Sequence, residues 1–350
     1  MVWSGGAPCL LSFRIPVGGL TIGRELLASL APSLHDDRIS RRHAHVTAHE
    51  PNFLIADLAS RNGTYVAGQA LVDREIQVSP PCVVRTGRTV SVLVPDVGMF
   101  EGREVDRSGG VVRGPSSRHA GERAHAAADA GQNLVIIAEP GSGKRIVADR
   151  YVRQRRAREL VIFGAELGAS AQVPQGAVTI LLEDPQLLTP AGQATLAGWL
   201  DARPDLAVVT MCWGELDRLH GFDPQLARRL SQVEVRLAPL RERPEELAYL
   251  VAVALDGQPD PIGAHASLVE ACLLRPWPGN ERELISAVQR AARRAVEGGK
   301  TLLRGEDLGA DAGYPPQVPG SPTVNPLQAT VLAADDGRRR RTTTKPETDA

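Results

Sequence analysis

The strongest constraint on the fold lies in one short stretch. Four apolar residues, Leu134 to Ile137, run into Ala138-Glu139-Pro140-Gly141-Ser142-Gly143-Lys144-Arg145 and then into a segment of helical character. Closely spaced glycines between a strand and a helix let the backbone turn tightly and leave the first helical N–H groups facing the turn. Those N–H groups and the helix dipole favour an anion. The stretch therefore predicts a phosphate-binding loop in an α/β layer, with Lys144 as its point charge. Composition sharpens the reading: of 40 basic residues, Lys144, Lys300 and Lys345 alone are lysine, so a compact ammonium at 144 stands out in an arginine-rich chain. The plainer alternative is a glycine turn kept so that strand can meet helix.

The surrounding text divides the 350 residues into unlike parts. From residue 10 to 96, short apolar runs such as Phe53 to Leu58 alternate with Gly, Pro, Asn and Asp, an all-β pattern. Residues 97–118 are rich in Gly, Ser, Arg and Pro and read as a linker. Between 119 and 308, apolar strands at 134–137, 179–182 and 207–211 alternate with helical segments at 191–200, 244–255 and 281–296. That alternation predicts a parallel sheet followed by a small helical lid from about 256 to 308. Residues 309–350 collapse into Gly, Pro, Asp, Thr and an arginine run, and read as a disordered tail.

Other classes are excluded. Hydrophobic residues at 43% rule out wholesale disorder, and no stretch of about 18 apolar residues predicts a membrane span. The first twenty residues lack an export signal, so a soluble, cytoplasmic chain without membrane partners is expected. A net charge of −1 offers no global footprint for nucleic acid. Cys9, Cys82, Cys212 and Cys272 stand too far apart for a metal or disulfide framework, and no metal site is predicted.

Three signatures fall in order in the β-rich part: Gly23-Arg24, then Ser40-Arg41-Arg42-His43, then Ser60-Arg61-Asn62-Gly63-Thr64. The set resembles a forkhead-associated (FHA) domain over 10–96. The resemblance implies a β-sandwich that binds phosphothreonine through loops at one end. Arg24 and Ser40 would contact the phosphate, with Arg41 and Arg61 flanking it, while Asn62 would hold the peptide and His43 and Gly63 would shape the loops. A phosphate dianion suits fixed guanidinium and hydroxyl donors. The alternative makes the arginines solvated charges and Asn62-Gly63 a type I′ hairpin turn.

In the second part, Glu183-Asp184 ends an apolar run, and Pro239-Leu240-Arg241-Glu242-Arg243 and Trp277-Pro278-Gly279-Asn280-Glu281-Arg282-Glu283-Leu284 follow. With the glycine loop, these resemble the AAA+ ATPase domain of sigma-54-dependent transcriptional activators over about 119–308. The resemblance implies nucleotide binding by Gly141, Ser142, Gly143, Lys144 and Arg145, with Arg229 offered to a neighbouring subunit and Arg282 sensing the γ-phosphate. Glu183 and Asp184 stand as the catalytic carboxylates, in reversed order.

ATP and Mg²⁺ are the cofactors this allows. Ala138, Pro140 and Arg145 depart from the family loop G-E-S-G-T-G-K-E, with Arg145 placing a cation near the expected Mg²⁺ position. Cys212 stands where a water-positioning Asn is expected, and Asp223 replaces a second intersubunit arginine. The stretch 158–177 contains nothing like the family's GAFTGA loop. These departures predict a degenerate domain that leans away from being an enzyme, with hydrolysis weak or absent. Under the plainer reading, Arg229, Arg241, Arg243 and Arg282 serve structural ion pairs.

The leading expectation is a phosphothreonine-reading adaptor or modulator in kinase-linked transcriptional signalling. The alternative is a slow AAA+ ATPase whose nucleotide cycle controls assembly or transcription activation. Expected partners are a phosphothreonine-containing protein, a Ser/Thr kinase and intact AAA+ relatives. Thr342, Thr343 and Thr344 beside the arginine run are a candidate internal ligand once phosphorylated. A tail too polar for a helix-turn-helix predicts no sequence-specific DNA binding by this chain.

Overall fold

The structure, a computed structural model, describes residues 1–32, 34–72 and 75–315. In the N-terminal part, strands Ala44–His49 and Asn52–Asp57 alternate buried and accessible side chains, with Ala44, Val46, Phe53 and Ile55 turned inward. They form an antiparallel sheet in the order Leu20–Ile22, Ala44–His49, Asn52–Asp57, Glu75–Val78. A second sheet runs Ala7–Pro8, Trp3–Ser4, Thr89–Leu93, Cys82–Thr86, Thr64–Val66, Gln69–Ala70. Ile22, Val46 and Ile55 of the first pack against Val66, Cys82 and Val84 of the second, which makes a β-sandwich. Trp3 pairs with Val90, so the sandwich takes in residues upstream of 10.

The stretch read as a linker contains structure. Asp106–Ser108 and Val111–Arg113 form a hairpin, and Gly109 and Gly110, both at positive φ (60° and 78°), make its two-residue turn. Helix Pro115–Asp129 then begins ahead of the expected start at 119.

The second domain is built on a parallel sheet in the order Arg158–Phe163, Val178–Glu183, Ala207–Cys212, Leu134–Ile137, Val233–Arg236. Its central strand is buried on both faces. Leu134 and Ile136 pack against Ala124, Ala148 and Tyr151 of helices Pro115–Asp129 and Lys144–Arg155. Val135 and Ile137 face the side covered by Leu196 and Trp199 of helix Pro190–Ala202 and Leu226 of helix Pro224–Leu230. Continuous apolar text at 134–137 is what such a strand requires. Strands Arg158–Phe163 and Val178–Glu183 are joined by a 3₁₀ turn, Gly164–Glu166, and an irregular stretch.

The lid begins at Pro244, not at 256. Helices Pro244–Asp256, Ala266–Leu273 and Asn280–Glu297 pack together, and Gly263–Ala264 pairs in parallel with Leu302–Leu303. Residues 309–315, expected in the tail, fold onto it: Trp277 N–H donates to Gly313 O (2.8 Å), and the Arg275 guanidinium donates to Gly309 O and Ala312 O.

The sandwich rests on this lid. Val2, Trp3, Val83 and Val90 share one core with Leu247, Val251, Val269 and Leu273. Beside that core Arg85, itself partly exposed, pairs with the buried Glu270 (2.6 Å) and lies 3.6 Å over the Tyr65 ring. Truncating Arg85 leaves a buried carboxylate without its cation. Arg85→Ala is therefore expected to destabilise the chain by about 3 kcal/mol, read as a lowered thermal midpoint. An unchanged midpoint would show that this pair does not fasten the two parts.

Candidate functional site

The parallel sheet leaves a cleft at the C-terminal ends of its central strands, where open α/β sheets take ligands. Gly141, Gly143, Lys144, Arg145, Glu183, Asp184 and Arg282 line this cleft of about 480 Å³, together with Met211, Glu281 and Ile285. The glycine loop has the conformation its residues require. Gly141 and Gly143 are left-handed (φ 74° and 92°), and a Cβ at 141 would collide with the Gly279 carbonyl of the lid. Helix Lys144–Arg155 starts immediately after Gly143, so its free N–H groups open toward the loop. Ser142 Oγ donates to Glu139 O (2.6 Å), closing the turn.

Lys144 Nζ donates to Ala138 O (2.7 Å) and Glu139 O (3.1 Å), back across the loop. Burial pulls its pKa below the ordinary lysine value, and Arg282 adds to this, while Cys212, Asp184 and Glu183 oppose it. Asp184 sits at φ 50°, a left-handed position that a non-glycine residue seldom takes and that clusters at functional sites. Arg145 is held by Asp149 (2.8 Å), Glu159 (2.8 Å) and Glu183 (3.6 Å), so its charge is matched by three carboxylates. The Cys212 thiol is buried and pushed up to about 11 by that burial, which keeps it neutral at the strand end.

Glu139 and Asn280, to which the sequence reading gave no role, tie the loop to the lid together with two of the arginines weighed as structural. Glu139 accepts both ends of the Arg241 guanidinium (2.7 and 2.9 Å) and the Asn280 amide (3.0 Å). Arg241 is the main cause holding the Glu139 carboxyl below the usual carboxylate range, with Asn280 and Lys144 adding to it against burial. Asn280 also donates to Pro140 O and accepts from Leu240 N–H (2.7 Å). The buried Arg243 pairs with Glu246 and Glu281 (2.9 Å). Glu246 in turn accepts from Gly114 N–H and Ser117 Oγ at the start of helix Pro115–Asp129. The two arginine-rich motifs are thus one network around the loop.

Of the four arginines weighed as structural, Arg241 and Arg243 sit in this network and Arg229 pairs with Asp201 (2.8 Å), outside the lining of its own cleft. Arg282 forms no ion pair among the described residues.

The sandwich gathers the other candidate set at one end. Arg24 N–H donates to Ser40 O (3.0 Å), Arg61 N–H to Ser40 Oγ (3.1 Å) and Asn62 Nδ2 to Arg38 O (2.6 Å). Arg24 Nη2 rests on Ile39 O (2.9 Å), while Arg41 and Arg61 are exposed. His43 is fully buried: it accepts from Ser40 N–H at Nδ1 (3.0 Å) and lies 3.0 Å from Gly63 O at Nε2. Nδ1 as acceptor leaves Nε2 as donor, and burial lowers the ring's pKa, which favours the neutral form. The hairpin alternative for Asn62-Gly63 does not apply. Gly63 alone of the two has positive φ, and the loop crosses from Asn52–Asp57 in one sheet to Thr64–Val66 in the other.

Comparison with known proteins agrees with this geometry. Residues 20–87 match the FHA domain family and residues 113–240 the sigma-54 interaction domain family. Similar proteins are the transcriptional regulatory protein XylR of Pseudomonas putida, 26% identical over 227 residues, and the response regulator protein FleR of Pseudomonas aeruginosa, 30% identical over 242. These alignments take in 52% and 56% of this chain, and 40% and 50% of the relatives. The Nif-specific regulatory protein of Azotobacter vinelandii is 25% identical over 274 residues, covering 64% of this chain and 51% of that protein. The chain thus spans about half the length of these relatives or less. A likeness in fold extends to NtrX from Brucella abortus, solved in complex with ADP, with a TM-score of 0.51, 19% identity, and coverage of 60% of this chain and 57% of that one.

The chain therefore carries an N-terminal FHA domain fused to a sigma-54 interaction domain of the AAA+ class. Two expectations are corrected. The match of residues 113–240 to the sigma-54 interaction domain family, together with similarity to the regulatory proteins XylR, FleR and the Nif-specific regulator, argues for ATPase activity and against the non-enzyme reading. Nothing supports the term degenerate: the substitutions at 138, 140 and 145 leave the glycine turn, Lys144 and both carboxylates facing one cleft.

Proposed function

We propose that this chain is an AAA+ ATPase whose nucleotide cycle controls assembly or transcription activation, with a phosphothreonine reader attached to its lid. The observation that carries the reading is the single cleft shared by Gly141, Gly143, Lys144, Glu183, Asp184 and Arg282. The left-handed glycines form a cradle without side chains, and the loop fits a polyphosphate on that ground. When bound, ATP with Mg²⁺ would supply the phosphoanhydride bond and the cation that offsets its charge.

The chain's own residues would do the rest. Lys144 exchanges its two loop carbonyls for phosphate oxygens, and Ser142 and Arg145 contribute backbone N–H groups beside it. Arg282, without a carboxylate partner among the described residues, approaches from the lid. Glu183 and Asp184 hold the metal and orient water, a positioning task on which phosphoryl transfer depends. Arg229, on the helix that follows the Ala207–Cys212 strand, serves a neighbouring copy or an AAA+ relative. The FHA loops would take a phosphothreonine on Arg24, Ser40, Arg41 and Arg61, with Asn62 on the peptide backbone. Ser40 Oγ accepts from Arg61, so its own proton is free to donate to phosphate. The partners are then a phosphothreonine protein and the kinase that writes it.

Phosphate release from ATP–Mg²⁺ tests the first part. The full chain should turn over ATP, and Lys144→Ala should lower the rate by about a hundredfold; equal rates, or none in the parent chain, would contradict the proposal. A peptide of residues 338–346, phosphorylated at Thr342, Thr343 or Thr344, tests the second. Those threonines lie outside the described residues. The phosphorylated peptide should bind the full chain, the plain peptide should not, and Ser40→Ala should weaken binding about tenfold. Equal affinity for both peptides would rule out the reader role for this tail.

A further inference from the structure

A line of arginines continues from the FHA loops across the junction with the lid. Asn62 Nδ2 donates to Arg38 O, and the buried Asp36 carboxylate joins the next two loops. One of its oxygens accepts from Arg38 N–H (2.9 Å) and Ile39 N–H (3.2 Å), the other from Arg88 N–H (2.8 Å) and Thr89 Oγ1 (2.8 Å). Gly87 permits this close approach: it is left-handed (φ 62°), and a Cβ there would stand 2.7 Å from the Arg38 backbone. The turn carrying Arg88 is thereby fixed to the loop carrying Arg38 and Ser40.

The lid meets the same turn. Helix Ala266–Leu273 packs on strands Cys82–Thr86 and Thr89–Leu93, with Glu270 on Arg85. Just before that helix, His265 N–H donates to Leu303 O (2.9 Å), which sets Arg304 close by, and Gly305 N–H donates to Ser267 Oγ (3.2 Å). Burial, and then the charges of Arg304, Arg85 and Arg88, bring the His265 pKa down to about 4. One imidazole thus feels arginines of both the sandwich and the lid. Carboxylates offset little of this charge. Asp37 pairs with Arg88 (3.2 Å), but the side chains are 61% and 41% exposed, where such a pair is weak. Asp307 is taken by Lys300 (2.5 Å), and the exposed Glu306 offsets one charge at most. Arg38 and Arg304 are exposed and form no ion pair among the described residues.

We propose that Arg38, Arg88 and Arg304 extend the phosphothreonine site onto the lid, so that the preferred ligand is a phosphothreonine peptide with an acidic flank. The inference rests on the phosphothreonine reading above and adds the lid to what selects the peptide. Charge complementarity of this kind rejects wrong partners as well as attracting the right one. The chain's own threonines at 342–344 follow four arginines and are the poorer match.

Fluorescence anisotropy of the full chain with three phosphothreonine peptides tests it: one with serine and alanine flanks, one with three aspartates before the phosphothreonine, and one with three after it. One acidic peptide should bind about fivefold more tightly than the plain phosphopeptide at low salt, and the gain should shrink at high salt. Arg304→Glu should take the gain below about twofold, whereas Arg153→Glu, at an exposed arginine on helix Lys144–Arg155, should leave it. Because the gain is a ratio within one protein, a general loss of folding or of phosphate binding cancels from it. Plain phosphopeptide binding with no gain from either flank, or a gain that the two substitutions change alike, would overturn the inference and leave the reader role standing. Absence of binding by all three phosphopeptides would overturn both.

Discussion

The Glu139 carboxylate is the knot on which the second domain depends. It stands in the glycine loop, yet its partners come from elsewhere: the Arg241 fork from the turn before the lid and the Asn280 amide from the start of the last lid helix. Asn280 reaches this place at φ 52°, a left-handed conformation that asparagine tolerates better than most residues. Through these contacts the loop's shape, the lid's seat and the placement of Arg282 over the cleft become one structural fact. Arg243 repeats the arrangement one layer deeper, joining Glu246, Glu281 and the start of helix Pro115–Asp129. Bidentate guanidinium pairs suit this task because they fix orientation as well as distance.

The same lid carries the FHA sandwich, and the join has the character of a domain core. Apolar residues from both sides form one cluster, and Arg85 pairs with the buried Glu270 beside it. Tyr65, stacked on Arg85, follows Thr64 directly after the Arg61-Asn62-Gly63 loop. The FHA loops and the glycine-loop cleft are therefore connected through packed side chains and through one helical unit, the lid, rather than through a loose tether. That placement makes the FHA domain a physical part of the AAA+ fold.

What could be read from sequence follows how far each contact reaches along the chain. The central strand at 134–137 and the loop after it were legible because four apolar residues and two glycines act locally. Helices Pro190–Ala202, Pro244–Asp256 and Asn280–Glu297 lie close to where helical text placed them. Trp3–Ser4 was not legible, since two residues show no alternation and earn their strand from pairing with Thr89–Leu93. In the hairpin at 106–113, the Gly109-Gly110 turn was hidden by a composition that resembles a linker. The Glu139 contacts escaped because they span 102 and 141 positions, and Arg85 and Glu270 lie 185 apart. Residues 309–315 read as tail because backbone groups, which composition cannot report, hold them to Trp277 and Arg275.

The shape of the glycine loop hangs on the Arg241 fork that Glu139 accepts from the turn before the lid. The most direct measurement is the ATP–Mg²⁺ affinity of the full chain by calorimetry, compared with Arg241→Ala, which leaves Lys144 and both cleft carboxylates in place. Loss of the fork frees Glu139 and the turn it holds, and the affinity should fall about tenfold. An Arg241→Ala chain that binds ATP as tightly as its parent would show that the fork does not shape the loop.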